Sequence, residues 1–189
     1  DGRSQLLMTI DNFAATTVTS LRTTALNGVA IDVTALGSFT VLSLVVAAFF
    51  FHFLFNQQGL LALQVLAAAM GSGLFTFFLK IFFERPRPPV QDRLVDIHGF
   101  SYPSGHSLSA AAVYFTLAMI LMKKSSSNAV KVGAILLFGL LISGIGISRI
   151  YLGAHFFSDV TAGFLLGTAW AALVGSIVLF SSTRTNSIR

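Results

Sequence analysis

Cysteine is absent from the 189-residue sequence, so no disulfide framework and no thiolate metal site can form, and cysteine usage leaves the redox compartment open. Charge is scarce as well. Only 10% of residues are Asp, Glu, Lys or Arg, against 54% hydrophobic, and the mean hydropathy is +0.81. A soluble domain carries about a quarter of its residues as charges, so this composition points to one compact integral membrane bundle. There is no internal repeat and no low-complexity tract. No basic patch interleaved with aromatic residues is present either, so the formal charge of +5 does not imply a nucleic-acid partner. No basic, apolar, small-residue run of the signal-peptide kind follows Asp1, and the chain reads as a truncated or processed form.

What is present is apolar length. Five runs, at about 35–55, 60–83, 106–122, 132–147 and 158–180, approach or exceed the length that a bilayer core demands of a helix. The expected fold class is all-α: a polytopic transmembrane helix bundle with five visible spans, covering 35–183. Before it, residues 1–34 place Leu6, Leu7, Ile10 and Phe13 at helical spacing, as an amphipathic interfacial segment does. After it, 184–189 form a polar tail. The second run carries Ala67, Ala68, Ala69, Gly71 and Gly73, whose small side chains let helices approach closely and suggest a central position. The third, with 17 residues from 106 to 122, is about 25 Å of helix and short for a hydrocarbon core of about 30 Å. His52 has no partner nearby in sequence and reads as a helix-end residue rather than a ligand.

Alternating the spans across the membrane puts Lys80, Arg87, His106, Arg149, His155 and Asp159 on one side. All seven acidic residues share that side, with seven Lys and Arg: Arg3, Arg22, Lys80, Arg85, Arg87, Arg93 and Arg149. The opposite side holds Lys123, Lys124, Lys131, Arg184 and Arg189 and no acid. If about three of the site-side cations are held there by function, the positive-inside count leaves the site extracytoplasmic, in a plasma or bacterial inner membrane.

Charged groups beside hydrocarbon are functional candidates by default. Lys80 and Arg87-Pro88 end the second run, where Pro86, Pro88 and Pro89 stop the helix. Pro103-Ser104-Gly105-His106 opens the third: Ser104 can cap, Gly105 lets backbone approach a ligand, and a helix N-terminus is a ready phosphate site. Ser148-Arg149, His155 and Asp159 fall at the junction of the last two. Three cations and helix-terminal N–H groups suit the equatorial oxygens of a transferring phosphoryl group. Two histidines allow one to attack phosphorus and one to protonate the leaving oxygen. His155 and Asp159 are four apart, so on a helix the carboxylate can hold the imidazole tautomer and free the other nitrogen as nucleophile; His106 is then the acid by elimination. A metal site would need bridging carboxylates, whereas Asp159 alone lies among the histidines and the surrounding cations would repel a metal, so neither metal nor cofactor is expected.

Lys80 with Arg87-Pro88, then Pro103-Ser104-Gly105-His106, then Ser148-Arg149 with His155 and Asp159, resemble in order and spacing the three-part signature of the type 2 phosphatidic acid phosphatase superfamily. The likeness covers about 35–180. It implies a membrane helix bundle, a metal-free site and a phosphohistidine intermediate. By position, His155 would be the nucleophile, His106 the acid and Asp159 the orienting carboxylate. Lys80, Arg87, Ser104, Gly105 and Arg149 would form the phosphate pocket. Membrane members usually have six spans, so a first helix is expected before Asp1. Arg85-Pro86 repeats the Arg-Pro pair two residues early and makes Arg85 a second candidate for Arg87's role.

The function expected is removal of phosphate from a lipid phosphate or diphosphate such as phosphatidate, phosphatidylglycerophosphate, polyprenyl diphosphate or lipid A. The partners implied are that substrate and the bilayer. A lipid phosphotransferase using the same phosphohistidine is the alternative, distinguished by whether phosphate is released to water. A non-catalytic membrane binding or transport protein has no reason to set a His–Asp pair beside three such cations.

Overall fold

A computed structural model of the chain describes the backbone of residues 2–186 and the side chains of residues 5–180. Among the described residues there are seven α-helices and no strand. They are α1 (Gly2–Thr19), α2 (Thr24–Ala35), α3 (Phe39–Phe55), α4 (Gly59–Phe83), α5 (Gly105–Lys124), α6 (Asn128–Tyr151) and α7 (Phe157–Asn186), with one 3-10 turn at Val90–Asp92. Four helices, α4 to α7, are long and apolar enough to cross a membrane, and α2 with α3 makes a fifth span if the bent pair is counted as one. Polar side chains place the breaks. Thr23 accepts from Leu26 N at the start of α2, and Ser38 from Val41 N at the start of α3. The first run, expected over 35–55, is helix α3 from Phe39, and α2 precedes it at an angle of 43°.

The centre of the bundle is α5, not α4 as the alanine and glycine content of α4 suggests. In its most apolar stretch 61% of α5 is buried, against 22% for α4. The small residues of α5, Ser107, Ala110, Ala111 and Ala112, are buried, and α7 meets them with glycine. A Cβ added at Gly167 would stand 2.3 Å from the Leu108 carbonyl oxygen, and one at Gly163 2.9 Å from that of Ser104. Backbone sets these limits, so the two helices approach each other closely. In α4, by contrast, Gly73 faces open space and Gly71 accommodates Trp170. Leu42 and Val46 of α3, Val65 of α4, Val113 and Leu117 of α5 and Ile145 of α6 close the core.

Large apolar side chains such as Phe77, Phe78, Leu140 and Leu165 point outward. Such a surface suits a bilayer, where lipid rather than protein covers it. Two further lengths differ from expectation: α5 runs on through Lys123 and Lys124 to 20 residues, about 30 Å at 1.5 Å per residue, and α6 extends through Arg149 to Tyr151. The side chains of the polar tail, 184–189, and those of Asp1 and Arg3 lie outside the described residues. His52 is exposed in the last turn of α3, where its carbonyl accepts from Asn56.

Candidate active site

Proline and serine fix the entry to α5. Ser104, fully buried, is its N-cap: its hydroxyl receives the Ser107 hydroxyl at 2.9 Å and the Ser107 N–H at 3.4 Å. Its own N–H donates to the Asp159 carbonyl at 3.1 Å, which ties the start of α5 to the first turn of α7. Gly105 and His106 follow as the first helical residues. His106 is half-buried and within electrostatic range of Arg149, His155, Arg87 and Lys80, so the signature residues converge on one place.

His155 is not on a helix, so its four-residue interval to Asp159 is not a helical turn. It lies in the bend between α6 and α7, where Gly153 takes φ +67 and leaves no room for a Cβ, which would stand 2.3 Å from the Asp92 carbonyl oxygen. The ring still reaches Asp159: His155 Nδ1 and Asp159 Oδ2 are 3.5 Å apart. Ser101 closes the contact, its Oγ donating to Asp159 Oδ2 at 2.5 Å and lying 3.3 Å from His155 Nδ1. The Phe156 N–H donates to the same carboxylate oxygen at 3.0 Å.

On the other edge of the ring, Arg87 Nη1 lies 3.1 Å from His155 Nε2. A guanidinium can only donate, so Nε2 accepts and the ring proton sits on Nδ1, toward Ser101 and Asp159. Arg87 is itself held by the carbonyls of Gly99 at 3.0 Å and Ala154 at 2.9 Å. Burial pushes the His155 imidazole down to about 4, with Arg87 and Arg149 acting in the same direction and Asp159 opposing. Burial also lowers the Arg87 guanidinium, next to Arg93. Lys80 Nζ donates to the Phe100 carbonyl. Arg149 donates through Nη1 to Thr34 Oγ1 at 2.9 Å, and its buried Nε has no hydrogen-bond partner among the described residues. Among the described residues, no group of three His, Cys, Asp or Glu is placed to hold a metal ion.

Arg85 does not share Arg87's place. Its Nη1 donates to Asp159 Oδ1 at 2.6 Å and its Nη2 to Asp11 Oδ2 at 2.7 Å, so it stands behind the carboxylate. Sequence reasoning also missed Ser101, Thr34 and Asp11. Ser101 precedes the Pro103-Ser104-Gly105-His106 run by a spacing that carries no general signal, and Thr34 is one polar residue among many in its segment. Asp11, an acid inside an apolar stretch, is the one whose sequence gave a usable cue.

A groove of about 820 Å³ opens between α3, α4 and α5, lined by Phe39, Leu42, Phe50 and Met70, with Gly105 and His106 at its site end. Its volume is that of a ligand pocket. A groove of equal volume, about 820 Å³, lies at the opposite ends of the helices beside Gln58, Lys123 and Lys124 and touches none of these residues.

Residues 61–182 match the PAP2 superfamily. The chain is 37% identical over 146 residues to phosphatidylglycerophosphatase B of Bacillus subtilis (strain 168), covering 75% of this chain and 70% of that protein. The crystal structure of a transmembrane PAP2 type phosphatidylglycerolphosphate phosphatase from Bacillus subtilis superposes with a TM-score of 0.84 at 31% identity, over 91% of this chain and 86% of that one. That of Aquifex aeolicus LpxE does so with 0.68 at 27% identity, over 86% and 92%.

Proposed function

The chain belongs to the PAP2 superfamily and is a multi-pass membrane phosphatase, and on that premise we propose that it removes phosphate from a membrane lipid phosphate through a phosphohistidine intermediate. The observation that carries the reading is the hydrogen bond from Arg87 to His155 Nε2, which leaves that nitrogen's lone pair facing a cation and the ring proton facing Asp159. When a phosphate occupies the pocket, its oxygens draw Arg87, and Nε2 is free to attack phosphorus. The new N–P bond forms as the P–O bond to the lipid breaks. His106 gives its proton to the departing lipid oxygen. Asp159 and Ser101 steady the Nδ1–H of the imidazolium. Water then attacks phosphorus while His106 takes its proton, the N–P bond breaks, and inorganic phosphate leaves with the ring neutral again.

Lys80, Arg87 and Arg149, with the free N–H groups in the first turn of α5 that begins at Gly105 behind the Ser104 cap, neutralise the equatorial oxygens. Arg149 Nε is a buried donor available for that purpose. No metal is required. Phosphatidylglycerophosphate is the substrate favoured by the names of the relatives. Phosphate release from it should exceed that from phosphatidate, polyprenyl diphosphate and lipid A, should survive EDTA and should be inhibited by vanadate. Complete loss with EDTA, restored by magnesium, would defeat the metal-free mechanism, and transfer of phosphate to a second lipid without release would favour the phosphotransferase.

The neutral His155 ring is the attacking form, dominant above its value of about 4 and lost as pH falls through it. On the acid side kcat/KM should therefore fall near pH 4, not near the value of about 6.5 of a solvated imidazole. A fall centred near 6.5 would mean that the ring is not desolvated in the working enzyme.

The apolar residues Leu6, Leu7, Met8, Ile10 and Phe13 of α1 face outward, which supports the interfacial placement of 1–34. The acid-free basic connection 123–131 supports a cytoplasmic position for that end and an extracytoplasmic one for the site. In intact cells, an impermeant maleimide should label a cysteine at Gln91 and spare one at Ser126; the reverse pattern would invert the topology.

A further inference from the structure

Asp11 is 2% exposed on a helix whose neighbouring side chains, Leu6, Leu7, Met8, Ile10 and Phe13, are 41–72% exposed. Helix α1 thus turns its apolar side outward and its carboxylate into the protein. A carboxylate is buried at a cost unless it is fully paired, and this one is. Its Oδ2 accepts from Arg85 Nη2 at 2.7 Å and from Ser158 Oγ at 2.7 Å, and its Oδ1 from the Ser158 N–H at 2.8 Å. Both partners lead to Asp159. Ser158 precedes it in the first turn of α7, so Asp11 caps the turn that carries the catalytic carboxylate. Arg85 bonds Asp159 Oδ1 at 2.6 Å and Ser158 Oγ at 2.7 Å, and the Phe156 ring packs 4.4 Å from its guanidinium carbon.

We propose that Asp11 is a positioning residue of the phosphatase reaction, acting through Arg85 to hold Asp159 against His155. The inference rests on the assignment of His155 and Asp159 given above. Asp159 has two oxygens with separate duties: Oδ2 faces Ser101, Phe156 N–H and the histidine ring, while Oδ1 accepts from Arg85. The rotation of the carboxylate, and so the aim of Oδ2, follows Arg85. That guanidinium reaches from the 84–104 connection and is 30% exposed, so without Asp11 on its outer nitrogen it has water as an alternative partner. Asp11 also balances the charge, because with it Arg85 is shared between two carboxylates. Without it the whole positive charge falls on Asp159, which then accepts less well from the histidine Nδ1–H. Asp11 bonds Arg85 and Ser158 and not Lys80, Arg87, Arg149 or His106, so its loss should leave substrate binding untouched.

The test is steady-state and single-turnover kinetics on the full-length protein in lipid micelles, with Asp11→Asn, which keeps an acceptor for Ser158 N–H, and Asp11→Ser as a smaller second variant. Either should lower kcat about tenfold while KM stays within about twofold, the scale of coupling between residues in one hydrogen-bonded network. The rate of phosphoenzyme formation should fall in the same proportion. In an Arg85→Gln background, adding Asp11→Asn should change kcat by less than about twofold, because the relay is already cut. An unchanged kcat in both variants, or equal losses with and without Arg85, would overturn the proposal. Wild-type protein run in parallel separates the two readings: no phosphoenzyme on the wild type defeats the reaction scheme, whereas normal phosphoenzyme on both wild type and Asp11→Asn at equal rates defeats only the role of Asp11.

Discussion

His155→Ala is expected to abolish turnover and any acid-labile phosphoenzyme, with kcat falling on the order of 10⁵-fold or more, the scale seen when a covalent nucleophile is deleted. The loss should be far larger than for Arg85 or Asp11, because the substitution removes the attacking atom itself and not a group that positions it. His106→Ala should behave differently. Its proton is needed for a lipid alkoxide to leave but not for a good leaving group such as p-nitrophenolate, so the variant should still trap labelled phosphate from an activated ester. Asp159→Asn would offer an amide where Nδ1–H needs an acceptor, favouring the wrong tautomer and leaving the attacking nitrogen protonated. Labelled phosphate recovered on His155→Ala protein would exchange the roles of the histidines, and full activity in that variant would remove covalent catalysis altogether.

The second large effect concerns the substrate's hydrocarbon. A lipid phosphate is expected to enter sideways from the bilayer, through the groove of α3, α4 and α5 that ends at His106 in the first turn of the 20-residue α5. That groove is lined by Phe39, Leu42, Phe50 and Met70 and ends at Gly105 and His106. A chain that stays in it, or in the bilayer beside it, avoids about 0.8 kcal/mol of water exposure per CH₂. About five retained methylenes then amount to roughly 4 kcal/mol, or about a thousandfold in kcat/KM. Long-chain phosphatidylglycerophosphate should exceed glycerol phosphate by at least that factor once surface concentration is matched. Met70→Trp, which fills the groove without touching a charged group, should lower the rate on the long-chain substrate and spare the short one. Equal efficiency on both substrates would rule out lateral entry and leave the phosphohistidine chemistry standing.

Much of this molecule is legible in one dimension because the solvent for its surface is hydrocarbon. Apolar runs of bilayer length have to be helices, since every backbone group must be satisfied within the segment, and so the spans and their alternation follow from composition. The alternation alone brings Lys80, Arg87, His106, Arg149, His155 and Asp159 to one side, where burial then makes their chemistry recognisable. The capping role of Ser104 is equally local, since it depends on the hydroxyl and the N–H three residues on.

The remaining features depend on contacts between segments far apart in the chain. Which helix lies at the centre is decided by pairs of surfaces: the glycines of α4 look like packing residues, but Gly73 meets nothing, while Gly163 and Gly167 of α7 meet the backbone of α5. The same holds at the pair His155 and Asp159. The interval between His155 and Asp159 suggests a helical pair, yet the ring sits in a bend shaped by Gly153 against Asp92, and Ser101, 54 residues before His155, completes the contact. Arg85 and Arg87 show the difference most directly. Both are arginines followed by proline, two residues apart, and only the spacing from Lys80 separates them in the sequence; the fold sends one to His155 Nε2 and the other to Asp159 and Asp11. The residue types present and their gathering at one end of the spans were determined by the sequence by itself, because hydrophobicity and helix period are local properties. Which atom of which residue each cation holds was decided only by the tertiary structure, because a hydrogen bond is short-ranged and its partners arrive from α1, the 84–104 connection and α7 at once.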